Sequence, residues 1–455
     1  MPSELDRFIA QARAERGGLF AADRPITVAR APGWVDLLGG AVAYGGALAL
    51  GWPTGGSSFA ALQPDPEPLI RIRAGDVEAN LPVDALRADG RPREYAEVAA
   101  RVAAAAPPGA PWWPAALGAW AALMREEFVD FAGGARLLLR PADGPGARES
   151  WAAATAQALV SAYGVRISPR ELALGCRVAL DRVGGRDGGA LGAMASVCAP
   201  AGELLLLLPQ PAWHWGGLHM PHGSAIWVLR VGDGPARGGE ARCRAAGAMA
   251  YHMIADAAGL TLEQADARWG GYLASVGTAG FSRRYRDLLP ARLGGADFLA
   301  RYAAPSGVEI APDESYPLRA AATLAVEGHL RSRSAVALLR AAASKAQRED
   351  DLQLVGEMMA ESHWLQRAAG LGDAHADRLA DMVDAAGAER GLMGARAPAA
   401  ASGATLVVLA RAGAEDELRA IAEAYAQACG EPVRLFGGSA PGASPAGTQE
   451  IADSR

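Results

Sequence analysis

The stretch R-A-P-G-W-V-D-L-L-G-G-A-V-A-Y-G-G-A-L-A-L-G-W-P-T, Arg30 to Thr54, decides the reading of this chain. It sets small residues and paired glycines between short apolar runs. Three later segments share that character and follow in order: Ala142 to Ala152 (A-D-G-P-G-A-R-E-S-W-A), Gly189 to Val197 (G-A-L-G-A-M-A-S-V) and Gly394 to Thr405 (G-A-R-A-P-A-A-A-S-G-A-T).

Composition limits what surrounds these segments. At 455 residues the chain has room for two or three domains, and 51% hydrophobic against 21% charged residues fills sizeable cores. A formal charge of −6 argues against nucleic acid as a partner, since such proteins carry a basic face. No apolar run approaches the roughly 18 residues of a membrane helix. The N-terminus lacks the charged-then-apolar form of a signal peptide. Cys176, Cys198, Cys243 and Cys429 lie far apart, as free thiols of a reducing compartment do. A cytoplasmic protein with no membrane partner is the expectation.

Strand and helix signals alternate without strict βαβ periodicity, which implies an α+β class. Arg136–Arg140 reads as a strand, and an Ala-rich helix follows from about Trp151 to Tyr163. Ser168-Pro169-Arg170-Glu171 is a capping box with proline at the first helical position, and its helix ends at Gly184-Gly185. Further strands are expected over 203–208, 225–231, 405–410 and 432–436. Helices are expected over 241–258, 262–276, 317–343, 350–369, 374–386 and 415–429. Residues 441–455, rich in Ser, Ala, Gly and Pro, read as a disordered tail. Trp213 to His222 holds three histidines without a nearby acid or cysteine, which reads as a surface loop or aromatic patch rather than a metal site. Trp112, Trp113 and Trp120 suit a core or an interface.

The frame of 30–54 resembles the first motif of the GHMP small-molecule kinases, nearest the galactokinase and L-arabinokinase branch. The other segments fall in order on the remaining motifs: 142–152 on P-x-G-x-G-(L/V)-S-S-S-A-A, 189–193 on G-(I/V)-M-D-Q, and 394–405 on G-A-K-I-T-G-G-G-S-G-G-T. Arg242-Cys243-Arg244, Gly356 to Met359, Ser362-His363 and Gly370-Leu371-Gly372 also match the branch. The resemblance implies a two-domain GHMP-kinase fold. An N-terminal ribosomal-S5-like domain would span 1–218, and a C-terminal ferredoxin-like α+β domain with extra helices 219–440. It further implies ATP, Mg²⁺ and transfer to the anomeric hydroxyl of a monosaccharide.

The reactive positions depart from the family. Its catalytic Asp falls on Gly192, and the Arg that steadies the transferring phosphate falls on Trp34, so no catalytic residue is intact. Asp187 lies five residues upstream, out of register. Losing a positioned base costs ~10²–10⁴-fold in rate. In the nucleotide loop, Gly144 and Gly146 are kept, Pro145 donates no N–H, and the three serines become Arg148, Glu149 and Ser150, with bulky Trp151 behind them. Ser150 stands at the metal-ligating serine and alternatively reads as a helix N-cap. Asp36, Gly39, Gly40 and Tyr44 occupy substrate-binding positions, although the acid beside Tyr44 has become Ala43. Asp36 also reads as a structural turn residue. In the last-motif loop, Ala399, Ala400 and Ala401 replace glycines, followed by Ser402 and Gly403. Nucleotide and metal binding are therefore doubtful. The favoured reading is a pseudokinase, a ligand sensor for a sugar or nucleotide or a partner of another protein. An active monosaccharide 1-kinase with an atypical site, or a repurposed enzyme, is the alternative.

Overall fold

The computed structural model describes residues 3–127, 129–131, 133–185, 189–208, 213–236, 239–344, 348–398 and 402–452. The chain divides into two compact units. One comprises Met1–Trp34, Trp52–Glu203 and Gly438–Arg455, the other Val35–Gly51 and Leu204–Gly437. The division is thus not a single cut near residue 218: the quoted motif itself passes from one unit to the other and back.

In the first unit the strands run in the order Thr448–Ile451, Ile26–Leu38, Ala49–Asp65, Gly134–Arg140, Leu69–Ala74, Val77–Pro82. The helix Glu4–Ala14 opens with a capping box, Ser3 with Asp6. It buries Phe8 and Ala12 against Phe59, Leu138 and Ile451. That contact explains why, of the expected disordered tail 441–455, the described part to 452 is ordered: 448–451 pairs antiparallel with 26–29, and a helical turn forms over Ala443–Ala446; the last three residues lie outside the described ones. Backbone pairing and a buried Ile451 outweigh the polar composition. The helices Trp113–Glu126, Ala147–Ala162, Pro169–Arg182 and Ala190–Cys198 pack on one another. Trp112, Trp113 and Trp120 belong to this core, and the Trp113 indole N–H donates to Val102 O (3.0 Å).

The second unit holds a four-stranded antiparallel sheet, Leu392–Arg396, Ser402–Arg411, Ser224–Ala236, Val433–Phe436. Helices Ala374–Ala386 and Glu415–Cys429 cover it through Leu379, Val383, Leu418 and Tyr425. A second core gathers the helices Glu240–Ala257 and Leu318–Ser344 with the short turn Gly40–Gly45. The helix expected over 262–276 stops at Trp269, because Gly270 and Gly271 both take positive φ, and a 3₁₀ turn resumes at 273–276. Residues 213–219 form a strand rather than a loop, with Trp213 and Trp215 exposed.

A charged pair lies at the centre of this unit. Helix Arg348–Ala368 rests backbone to backbone on strand Leu392–Arg396: a Cβ on Gly356 would stand 1.9 Å from Met393 O, and one on Gly394 2.2 Å from Gly356 O. This approach drives Arg396 into the interior, where it is fully buried with Asp36. Its Nη1 donates to Asp36 Oδ2 (2.8 Å) and to Asp36 O (3.2 Å). Asp36 Oδ1 accepts from Gly40 N (2.9 Å). With the Gln366 amide assigned from its partners, its oxygen accepts from Arg396 Nη2 and its nitrogen donates to Ala397 O (3.1 Å). His363 Nδ1 accepts from Ala397 N (3.2 Å), and its Nε2 faces Asp377 Oδ1 at 3.1 Å.

Removing one partner of such a pair leaves a buried uncompensated charge. Asp36→Ala and Arg396→Met should each cost roughly 3–5 kcal/mol in urea unfolding, and the double substitution clearly less than their sum. Additive losses would show that the two side chains are not coupled.

The second unit also carries a pH dependence. Burial, helped by Arg333, holds His329 below its ordinary 6.5, and its Nδ1 accepts from Leu48 N (3.1 Å), which requires that nitrogen unprotonated. Burial lowers His252 in the same way. Below about pH 6.5 the unfolded chain binds protons that the folded chain refuses, so this stability is present above that pH and lost as pH falls. The urea midpoint should drop between about pH 7.5 and about pH 5, and His329→Gln should flatten the drop. An unchanged slope in that variant would rule His329 out.

Candidate functional site

In the first unit the segments of the first, second and third motifs converge on one indole. Trp34 is 5% exposed, at the end of that unit's part of strand Ile26–Leu38. Its backbone N–H donates to Pro145 O (3.1 Å). A Cβ on Gly33 would lie 2.1 Å from the same carbonyl, so glycine is required for the strand to reach the loop. Gly146, at φ +68, is the N-cap of helix Ala147–Ala162, and a Cβ there would stand 2.3 Å from Trp34 Cδ1 and from Trp34 N. Gly192, in the first turn of helix Ala190–Cys198, faces the other part of the ring: a Cβ would lie 2.4 Å from Trp34 Cε2 and Nε1. The indole thus fills the space that a side chain at 192 needs.

The loop ahead of the helix is held by two more links. The Trp151 indole N–H donates to Ala142 O (3.1 Å), and Ala142 N donates to Ser58 Oγ (2.9 Å). The Ser58 and Ser150 hydroxyls are 2.6 Å apart, and Ser150 Oγ donates to Ala147 O (2.8 Å). Ser150 is fully buried and stands in the helix's fourth position. It is therefore not the N-cap that the spacing suggested, because the helix begins at Ala147 rather than near 151. Its oxygen is engaged on both sides and is not presented to an ion, so the residues here do not fit a Mg²⁺ held at Ser150. Arg148 and Glu149 line a cavity of about 210 Å³ with Pro111, Pro114, Leu180 and Gly184. Glu149 is in the first turn of the helix, where it favours the helix dipole itself and opposes a bound anion. Gly144 sits in the bend before Pro145.

The second unit carries the remaining positions. Asp36 and Gly40 are joined by the hydrogen bond described above. Gly39 takes φ +87, and a Cβ there would meet Leu48 O at 1.9 Å. Tyr44 packs its ring against Gly247, where a Cβ would lie 2.4 Å from Cε2, and its hydroxyl is 3.4 Å from both Cys243 Sγ and Ala321 O. Burial beside Cys243 pushes the Tyr44 phenol well above its ordinary value. Gly403 has φ +66 at the irregular pairing between Val231 and Ala236. Ser402 begins its strand. Ala399, Ala400, Ala401 and Asp187 lie outside the described residues. Among the described residues no group of three or more His, Cys, Asp or Glu is placed to hold a metal, and no helix is long and apolar enough to cross a membrane.

Gly33 and Ser58 were not legible as site residues, because each acts on a backbone carbonyl or amide far along the chain. Arg396 left one signal: an ionisable residue between apolar neighbours, as Asp36 is in V-D-L-L.

No family model matches the chain. It is 28% identical to L-arabinokinase of Arabidopsis thaliana, in an alignment that covers 96% of this chain and 48% of the plant protein, so the chain spans about half the length of that relative. Its structure is similar to Lactococcus lactis galactokinase solved with galactose, with TM-score 0.69 and 13% identity over 96% of this chain and 99% of that one. It is also similar to Methanococcus jannaschii mevalonate kinase, with TM-score 0.54 and 12% identity over 90% and 96%. The chain therefore has the GHMP-kinase fold that galactokinase and mevalonate kinase share, and its sequence is similar to that of L-arabinokinase.

Proposed function

We propose that this sugar-kinase homologue is a pseudokinase: it transfers phosphate to monosaccharides at most very slowly, and serves as a ligand-responsive or partner protein. The observation that carries the reading is the Trp34 indole lying on Gly192. Phosphoryl transfer depends on a positioned hydroxyl and on neutralised charge. At the position where the resemblance puts a carboxylate, this chain has no side chain, and the adjoining ring leaves no room for one. The polar atom that the indole brings there is Nε1–H, buried with no hydrogen-bond partner among the described residues. It is a donor only and abstracts no proton.

The nucleotide loop supports the same reading. ATP and Mg²⁺ are implied by the likeness to kinases, but Ser150 is committed to Ser58 and Ala147, Pro145 has no N–H, and Glu149 adds negative charge.

Incubation of the purified protein with Mg-ATP and L-arabinose, D-galactose or other monosaccharides should yield sugar phosphate at below roughly 0.1 s⁻¹. That is a median turnover of ~10 s⁻¹ lowered by the loss of a general base. Turnover near ~1 s⁻¹ or faster would overturn the proposal in favour of an active kinase using other residues.

A further inference from the structure

The exposed large apolar side chains of this chain are not scattered. Within the second unit, strand Trp213–His219 packs on helix Leu318–Ser344, and that helix packs on helix Arg348–Ala368. These three elements carry Trp213, Trp215, Leu330, Leu354 and Trp364, which are five of the eight large hydrophobic residues exposed among the described ones. A single exposed leucine is ordinary, but apolar residues gathered on adjoining elements and rimmed by charge mark an interaction surface.

The two helices present this surface as stripes. On helix Leu318–Ser344 the exposed residues Leu330, Arg333, Ala337 and Arg340 recur every three or four positions, and Ser332, Ala335, Val336 and Leu339 behind them are buried. On helix Arg348–Ala368 the exposed stripe is Asp350, Leu354, Glu357, Glu361 and Trp364, with Val355, Gly356 and Met359 buried behind it. Charge is segregated between them: one stripe carries only arginines, the other only carboxylates. Arg333, Arg340, Asp350 and Glu357 make no hydrogen bond or ion pair among the described residues. The helices join over 345–347 and run antiparallel. Arg331 Nε donates to Glu361 Oε2 (2.8 Å) and sets their register. Counted from that bond, Leu330 lies near the level of Trp364, Arg333 near that of Glu357, and Arg340 near that of Asp350 and Leu354.

This pattern selects its occupant. A two-fold axis can lay the face on itself in two ways. Each helix on its own counterpart would set arginine against arginine and carboxylate against carboxylate. Helix Leu318–Ser344 on the partner's helix Arg348–Ala368 instead meets opposite charges, and the symmetry repeats every such pair. We infer that this face is a self-association surface, on which a second copy of the chain docks in the crossed arrangement to complete an antiparallel four-helix bundle. Leu330, Leu354 and Trp364 form its apolar centre. Arg333 and Arg340 lie against the partner subunit's Glu357 and the partner subunit's Asp350. Trp213 and Trp215 extend the surface beyond helix Leu318–Ser344. The inference concerns the second unit alone and holds whether or not the chain transfers phosphate.

Sedimentation velocity on the whole protein, over a dilution series, tests it. Monomer should pass to dimer with a Kd of about 10 µM or tighter, the weak end for a specific interface. Arg333→Glu and Glu357→Arg, each placing like charges together at both symmetric sites, should each weaken the dimer about tenfold or more. An equal mixture of these two variants should associate nearly as well as the unchanged protein, since each then offers the other the opposite charge twice. Leu354→Asp should leave only monomer. All three positions are exposed, so the urea midpoints should stay near that of the unchanged protein. The inference is overturned if the protein is monomeric throughout, which would leave the face to a different partner. It is equally overturned if the dimer persists unchanged in these variants, or if the mixture associates no better than its components.

Discussion

An indole and a side chain at residue 192 cannot occupy the same space. The Trp34 ring lies within 2.4 Å of where the Cβ of residue 192 would be, and within 2.3 Å of where that of Gly146 would be. Gly192 is therefore tied to glycine for as long as Trp34 is tryptophan, and Gly146 is tied to it by its positive φ and the Trp34 backbone as well. The ring is buried, its backbone N–H is bound to Pro145 O, and it sits where the strand, the loop and the helix of three separate motifs meet. Burial of an indole contributes several kcal/mol to that junction. On the proposed reading, the residue that stands in place of a cation thus supplies packing, and the absence of a carboxylate at 192 follows from it sterically.

Two residues further on, the chain is fixed a second time. Asp36 is held by Arg396 and by its own hydrogen bond to Gly40 N. The pair lies beneath a helix and a strand brought together by Gly356 and Gly394. A buried ion pair is weak evidence of net stability, but it specifies one arrangement, because every alternative leaves a charge unpaired. On the pseudokinase proposal, such a pair would keep the fold of a small-molecule kinase while its reactive groups are replaced, as expected where a scaffold outlives its chemistry.

Local signals were legible where local physics decides the structure. The Ser168–Glu171 capping box, the Gly387 stop after helix 374–386, and the strands at 136–140 and 203–208 all stand where the residues put them. The order of the glycine-rich motifs carried the fold. Errors arose where distant contacts override local preference. The polar stretch 448–451 is a strand because residues 26–29 offer it a pairing edge. Ser150 is interior to its helix because Gly146, four residues ahead of it, takes the cap. The substitutions at Trp34 and Gly192 were each visible in the sequence, but their complementarity was not: only folding places the ring against the glycine.

Steric exclusion is tested most directly by adding one methyl group. Gly192 lies in a helix with ordinary φ, so Gly192→Ala alone should gain about 1 kcal/mol from helix propensity. Against the Trp34 ring the added Cβ should instead destabilise the protein by roughly 1–3 kcal/mol in urea unfolding. In a Trp34→Ala background the same substitution should become neutral or stabilising. This reversal of sign is the expected result. Gly192→Ala that stabilises the protein with Trp34 present would contradict the overlap of ring and side chain, and with it the steric ground of the pseudokinase proposal.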